Sequence, residues 1–413
     1  MDDQAIIGID VGTTKICTLV GRLHAQGQFQ ILGVGIEPAQ GLKKGVVVDL
    51  EAATQAIARS VDKAERTSGV EIFSALVSLA GSGVSSQNSS GVVGISGKVI
   101  EENDVSRAID SARAVAIPHN REIVHVVQRG FIIDGQEGIR MPVGMHGYRL
   151  EVETHIITAS AASMENLRQS IAAAGVDVSQ FVLNPLASAE VVLKETERQM
   201  GVVVVDIGGG TTDIAIYVDG DVWYTAVIAV GGNHITSDLA QVLHLPNSQA
   251  EEIKIQHGNA DLEVIEPNQF FNIRPFGEEH PVRISHQEVV EIINARVVEI
   301  FDLIGQEIKR SGYDGLLPAG IVLTGGSSEL PGMRTIASQV LGVPVRLSKP
   351  EKLLGMTDQL FSPAYSTSVG LLHWETLMRD VTPSRQRNRP QTAQHVFAIN
   401  WDSVFNWMKR LLP

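Results

Sequence analysis

The segment Val202-Val203-Val204-Val205-Asp206-Ile207-Gly208-Gly209-Gly210-Thr211-Thr212-Asp213 constrains this chain more than any other. Four β-branched residues in series predict a buried strand, an aspartate ends it, and glycines turn the chain back. Such glycines can present backbone N–H groups to an anion, because no Cβ stands in the way. Thr211 and Thr212 add hydroxyl donors, and the aspartates suit a divalent cation held through its waters. Near the N-terminus, Ile6-Ile7-Gly8-Ile9-Asp10-Val11-Gly12-Thr13-Thr14-Lys15 repeats the pattern. One copy is as readily an ordinary tight hairpin as a site. Two copies point to a duplicated domain, with two hairpins gripping one phosphate chain from opposite sides.

The two segments resemble the phosphate-binding motifs of the actin, Hsp70 and sugar-kinase superfamily. Three further stretches resemble the rest of that signature, in order. Val182–Ala189 is similar to the first interdomain connecting helix, Ile321–Ser328 to the adenosine motif, and Ala364–Leu371 to the second connecting helix. The resemblance implies an α/β, actin-like fold of two duplicated domains around a nucleotide cleft, with ATP and Mg²⁺ as ligands. Gly12, Thr13, Thr14 and Lys15 would hold phosphates from one side, and Gly208, Gly209, Gly210, Thr211 and Thr212 from the other. Asp10 and Asp206 would orient the hydrated Mg²⁺, with Asp213 in support. Gly231, Gly232, Asn233, Gly325, Gly326 and Ser327 would lie around ribose and adenine. Nucleotide is expected to close the cleft between the halves and to favour polymerisation.

A formal charge of −14 excludes the basic footprint of a nucleic-acid binder. The single cysteine, Cys17, cannot form an internal disulfide, which suits a reducing compartment. No signal peptide is expected at the acidic N-terminus, and no run of apolar residues is long enough to span a bilayer.

Along the chain, Asp49 should cap a helix running to Arg66, and Ser74–Ala80 reads as a buried strand. The motif order then predicts a crossing to the second half, yet residues 84–162 intervene. Gly/Ser-rich turns, an Asp104–Ala116 helix, and strands near Glu122–Val127 and Tyr148–His155 make this a separate α+β insertion. The organisation expected is 1–83 with 163–195 and 362–375 as subdomain 1A, 84–162 as the insertion, 196–231 with 306–361 as subdomain 2A, and 232–305 as subdomain 2B. Ala250–Gly258 resembles the nucleotide-contacting helix of MreB, which would place Lys254 near base and ribose; a solvated helix face is the plain alternative. Ser285 and Glu288 form a capping box for a helix to Arg310, and Leu330–Leu341 reads as another helix.

From Thr376 onward the chain carries +4 of its charge, leaving −18 on the body. Residues 376–394, with their arginines and prolines, read as a flexible basic linker. Residues 395–413 differ: on a helical wheel Phe397, Trp401, Val404, Phe405, Met408, Leu411 and Leu412 share one face, and Lys409 and Arg410 lie beyond its edge. This is the pattern of an amphipathic helix lying in the plane of an anionic bilayer. A terminal helix docked on the body is the alternative.

Three departures narrow the superfamily. No carboxylate stands where the sugar-kinase members carry their catalytic base, so no catalytic residue is assigned. Asn184 occupies the position of a glutamate that orients the attacking water in Hsp70 and MreB, which implies slow hydrolysis at most. No substrate-binding domain follows the second connecting helix. Together with the insertion and the tail, these features resemble the bacterial cell-division family FtsA. In that family the insertion is subdomain 1C, which replaces actin subdomain 1B. The resemblance implies an ATP-binding protein that forms filaments with itself on the cytoplasmic face of the inner membrane at the division site. There it would tether the C-terminal peptide of FtsZ through subdomain 2B, with Arg296 a contact, and meet other division proteins through 1C. A PilM-like pilus-assembly adaptor and a small-molecule kinase of the same fold are the alternatives.

Overall fold

The computed structural model describes residues 5–24, 28–81, 83–265 and 269–381. Two sheets of one plan organise it. In the first, Ile6–Val11, Lys15–Leu23 and Phe29–Pro38 run antiparallel in succession, and Ser74–Leu79 and Asp177–Leu183 add parallel to the first strand. In the second, Val202–Ile207, Thr212–Val218 and Asp221–Ile228 make the same antiparallel run, and Ile321–Thr324 and Val345–Leu347 add in parallel. The duplication is therefore strand for strand. One difference ties the halves: Leu353–Gly355 leaves the second half and pairs with the outer edge of the first sheet.

The valine run explains the centre of the second sheet. Val203 and Val205 enter one core with the helix His286–Ser311, while Val202 and Val204 enter another with the helix Asn184–Val192. A strand covered on both faces has no polar side, which is why the sequence shows a continuous apolar run instead of an alternation. Capping sets the helix ends. The Asp49 carboxylate accepts from the Ala52 N–H at 3.1 Å and opens the helix Leu50–Ser68, which a left-handed Gly69 ends. Ser285 accepts from the Glu288 N–H at 3.2 Å at the start of His286–Ser311.

The insertion is a four-stranded sheet, ordered Ser85–Gly94, Arg149–Ser160, Arg121–Ile133 and Gln136–Ile139, with the helix Glu102–Arg113 on one face. It has its own core, in which Val105, Ile109, Phe131, Leu150 and Val152 are buried. Three expectations are corrected here. The Gly/Ser-rich stretch forms the edge strand Ser85–Gly94, since an edge with one exposed face accepts small polar residues, and Gly91 lets Ala108 and Ala112 come close. The helix starts before Asp104, whose carboxylate reaches back to the Glu101 N–H at 3.0 Å, and it ends at Arg113. Both predicted strands extend well beyond their expected ends. In the second half the expected Leu330–Leu341 helix starts only at Met333, after Pro331 and the left-handed Gly332.

Two helices connect the halves, Asn184–Val192 and Ser366–Val381. Among the described residues no helix is long and apolar enough to cross a membrane. Residues 395–413, with the expected membrane-facing side chains, lie outside the described residues.

Candidate functional site

Both motif hairpins close with the same bond. The Gly12 N–H donates to the Lys15 carbonyl at 3.0 Å, and the Gly208 N–H to the Thr211 carbonyl at 2.9 Å. Register places Asp10 opposite Cys17 in one hairpin and Asp206 opposite Asp213 in the other. The tips face each other across the two halves: a Cβ on Gly210 would stand 2.7 Å from Thr13 Oγ1, and one on Gly209 would meet Thr14 Oγ1. The tips therefore already touch.

Behind the tips lie three buried carboxylates. Asp10 accepts from Ser78 Oγ at 2.9 Å and from Ser368 Oγ at 2.7 Å. Asp206 accepts from Thr367 Oγ1 at 2.9 Å, and Asp213 from Thr211 Oγ1 at 2.9 Å. Burial raises the Asp206 pKa to about 6, with the Asp10 charge adding to the effect. Burial, and then the Asp206 charge, push Asp213 well above the usual carboxylate range. Burial also holds Cys17 protonated, its pKa pushed up to about 12. Oδ1 of Asp213 and Oδ1 of Asn184 are buried without a hydrogen-bond partner. Crowded carboxylates, one of them with an orphaned oxygen, fit a cation better than an anion at this depth. Among the described residues no three His, Cys, Asp or Glu side chains converge closely enough to hold a metal ion directly.

The residues expected on the adenosine side gather at the second hairpin. The Gly232 and Asn233 N–H groups donate to the Gly208 and Gly209 carbonyls at 3.0 and 2.8 Å, and Ser327 Oγ donates to the Gly208 carbonyl at 2.8 Å. The helix start at Gly231 thus braces the turn of the second hairpin. Gly325, at φ 85°, passes so near Asp206 and Ile207 that no side chain fits, and Gly326 lies beside Ala364. Lys254 Nζ sits 2.7 Å from Glu251, 3.0 Å from Thr236 Oγ1 and 3.3 Å from the Gly232 carbonyl. Lys15 Nζ donates to the Ala364 carbonyl at 2.5 Å and lies over the Tyr365 ring.

The fold brings all these residues to one place, but not Arg296. Its guanidinium is bidentate to Asp238, at 2.5 and 2.9 Å, and also bonds Glu299 at 2.5 Å. Sequence reasoning missed Ser78, Thr367 and Ser368, which hold the carboxylates. The available signal was the Ser366-Thr367-Ser368 run at the start of an otherwise apolar helix.

The family model described as cell division protein FtsA matches residues 203–370, and that of the SHS2 domain inserted in FTSA matches residues 81–158. A cell division protein FtsA from Pseudomonas aeruginosa is 42% identical over 369 residues, covering 89% of this chain and 88% of its own. One from Escherichia coli K12 is 36% identical over 417 residues, covering 99% and 97%. Among solved structures, a PilM–PilN type IV pilus biogenesis complex aligns at TM-score 0.64 with 15% identity, covering 89% of this chain and 98% of that one. MreB5 of Spiroplasma citri bound to ADP aligns at TM-score 0.56 with 15% identity, covering 92% and 98%. At such identity the structural matches show a shared actin-like fold, and nothing finer.

Proposed function

This chain belongs to the FtsA family of cell-division proteins, and on that footing we propose that it binds ATP with Mg²⁺ between its two halves, polymerises at the cytoplasmic face of the membrane and tethers FtsZ there. The observation that carries the nucleotide reading is the pair of matched hairpins, tip to tip, with Asp10 and Asp206 behind them. The fold neighbour MreB5 is bound to ADP, which supports a nucleotide in the same kind of cleft. The pilus-adaptor and kinase readings rest on fold alone and give way to family membership.

In this reading the amides of Gly12–Thr14 and Gly208–Gly210 hold phosphate oxygens, and Thr13, Thr14 and Thr211 add hydroxyls. Asp10, Asp206 and Asp213 orient water around Mg²⁺, which supplies positive charge against the phosphates. Lys254 and Ser327 border the nucleoside, and Gly325 and Gly326 leave it room. Asn184 offers an amide where a base would be needed, so turnover is slow.

The filament and membrane roles rest on the family and on the tail. An amphipathic helix holding Phe397, Trp401, Phe405 and Met408 against lipid, with Lys409 and Arg410 near the headgroups, binds weakly alone and avidly in a polymer. An acidic FtsZ peptide would engage Arg296 by competing with Asp238 and Glu299. Subdomain 1C would meet other division proteins and the next subunit.

The test is flotation with anionic liposomes and Mg-ATP, comparing the full chain with one ending at Gln394. Flotation of the full chain alone supports the membrane adaptor; flotation of neither, or of both equally, overturns the role given to the tail.

A further inference from the structure

Three consecutive hydroxyl residues open the closing helix Ser366–Val381, and each is bonded to a different strand end of the cleft. Ser366 Oγ lies 2.6 Å from Thr324 Oγ1, Thr367 Oγ1 donates to Asp206 at 2.9 Å, and Ser368 Oγ donates to Asp10 at 2.7 Å. All three side chains are buried. Neighbouring residues of a helix point about 100° apart, so a single turn can reach both halves at once. Thr367 serves the second half and Ser368 the first.

The same helix is then pressed onto the first sheet. Leu371 lies on Gly8 and Leu372 on Gly21, both so close that a Cβ there would collide, and Gly370 lies on Ala187 of the other connecting helix. A helix held at its start by two carboxylates and along its length by such contacts cannot shift without disturbing the carboxylates.

We propose that Thr367 and Ser368 are positioning residues that couple divalent-cation-dependent nucleotide binding to the seating of the closing helix. The proposal rests on the reading of the cleft as a nucleotide site. Thr367 holds one oxygen of Asp206, and Ser368 holds one oxygen of Asp10 whose other oxygen Ser78 holds, so the hydroxyls fix how these carboxylates face the cation's waters. By linkage, a cation that steadies the seated helix is itself held less tightly when the helix is loosened. A signal raised between the hairpins would thus reach the helix that leads to the C-terminal segment.

The test uses the full chain, with ADP as probe, in magnesium and in EDTA. Calorimetry gives the ratio of the two affinities, and amide exchange reads the peptide covering Ser366–Trp374. In the parent protein, magnesium should raise ADP affinity and change exchange in that peptide. The pair Thr367→Val and Ser368→Ala, which removes two charge-assisted hydrogen bonds, should reduce the magnesium enhancement by about tenfold or more. It should also abolish the exchange response, and Thr367→Ser, which keeps the hydroxyl, should retain both. A magnesium enhancement within twofold of the parent in the double variant would sink the coupling. Failure of the parent itself to bind ADP is a different result, and it overturns the nucleotide reading together with this one. If the double variant does not fold, Ser368→Ala alone decides by the same ratio.

Discussion

Gly370 of the closing helix lies so close to the carbonyl oxygen of Ala187, in the first connecting helix, that no side-chain carbon fits between them. The two helices that join the halves therefore cross at backbone contact. Gly370→Ala offers a gain of about 1 kcal/mol in helix propensity and meets an overpacking cost of about 1–3 kcal/mol. Net destabilisation of about 0–2 kcal/mol is expected from urea unfolding. A more stable Gly370→Ala protein would show that the crossing is looser than described.

Stability should fall with acid through two buried histidines. Burial lowers the His125 pKa to about 4, and burial with the Arg129 charge lowers that of His155 to about 3. His125 Nε2 accepts the Leu183 N–H at 3.1 Å, which only the neutral ring can do, and His155 is held between Asn88 and Thr225. The unfolded chain binds these protons near pH 6.5 and the folded one does not, so their contribution is complete above that pH and is lost below it. Each histidine should cost about 1.4 kcal/mol per pH unit on the way down to its folded pKa. Asp206 and Asp221, raised to about 6 and about 7 by burial, titrate in the opposite sense. The slope must therefore be read as parent minus His155→Gln between pH 6.5 and 5. Equal slopes for the two proteins would refute it.

Duplication was legible because the Asp-x-Gly pattern recurs on strands of the same plan, and the four-valine run announced a strand buried on both faces. Caps at Asp49 and Ser285 were legible because capping is local chemistry. The edge strand Ser85–Gly94 was not, since its polar residues pair with Arg149–Ser160, far away in sequence, and pairing overrides propensity. Nor could a sequence show that Asp10 bonds Ser368 across 358 positions. Arg296 looked available on its helix, and only the fold brings Asp238 against it.

Asp213 should be a burden on the protein without nucleotide. It is buried, has one oxygen unpartnered, and is pushed toward the protonated form by burial and by the Asp206 charge. Because its folded pKa is raised, it destabilises increasingly as pH rises through that value. Asp213→Asn keeps an acceptor for Thr211 and removes the charge. In EDTA it should raise the thermal midpoint by about 2 °C or more at pH 8, with the gain fading toward pH 5. The same variant should bind ADP less tightly in magnesium. A lowered midpoint at pH 8 would mean that the charged form is stabilised by contacts not evident here.

Contact between the hairpin tips predicts how nucleotide and packing oppose each other. A Cβ on Gly210 would lie 2.7 Å from Oγ1, 2.9 Å from Cγ2 and 3.1 Å from Cβ of Thr13, too close on all three counts. Gly210→Ala should therefore cost about 1–2 kcal/mol in the protein without nucleotide. Thr13→Ala removes two of the three crowded atoms, so the double variant should recover about 1 kcal/mol, a coupling measurable in a double-mutant cycle. The sign of the effect should depend on ligand. If phosphate enters by parting the tips, the variant has already met part of that separation, and its stability deficit should shrink when Mg-ADP is added. If the deficit is instead unchanged by Mg-ADP, the tips do not separate on binding, and the phosphates must lie beside the hairpins rather than between them.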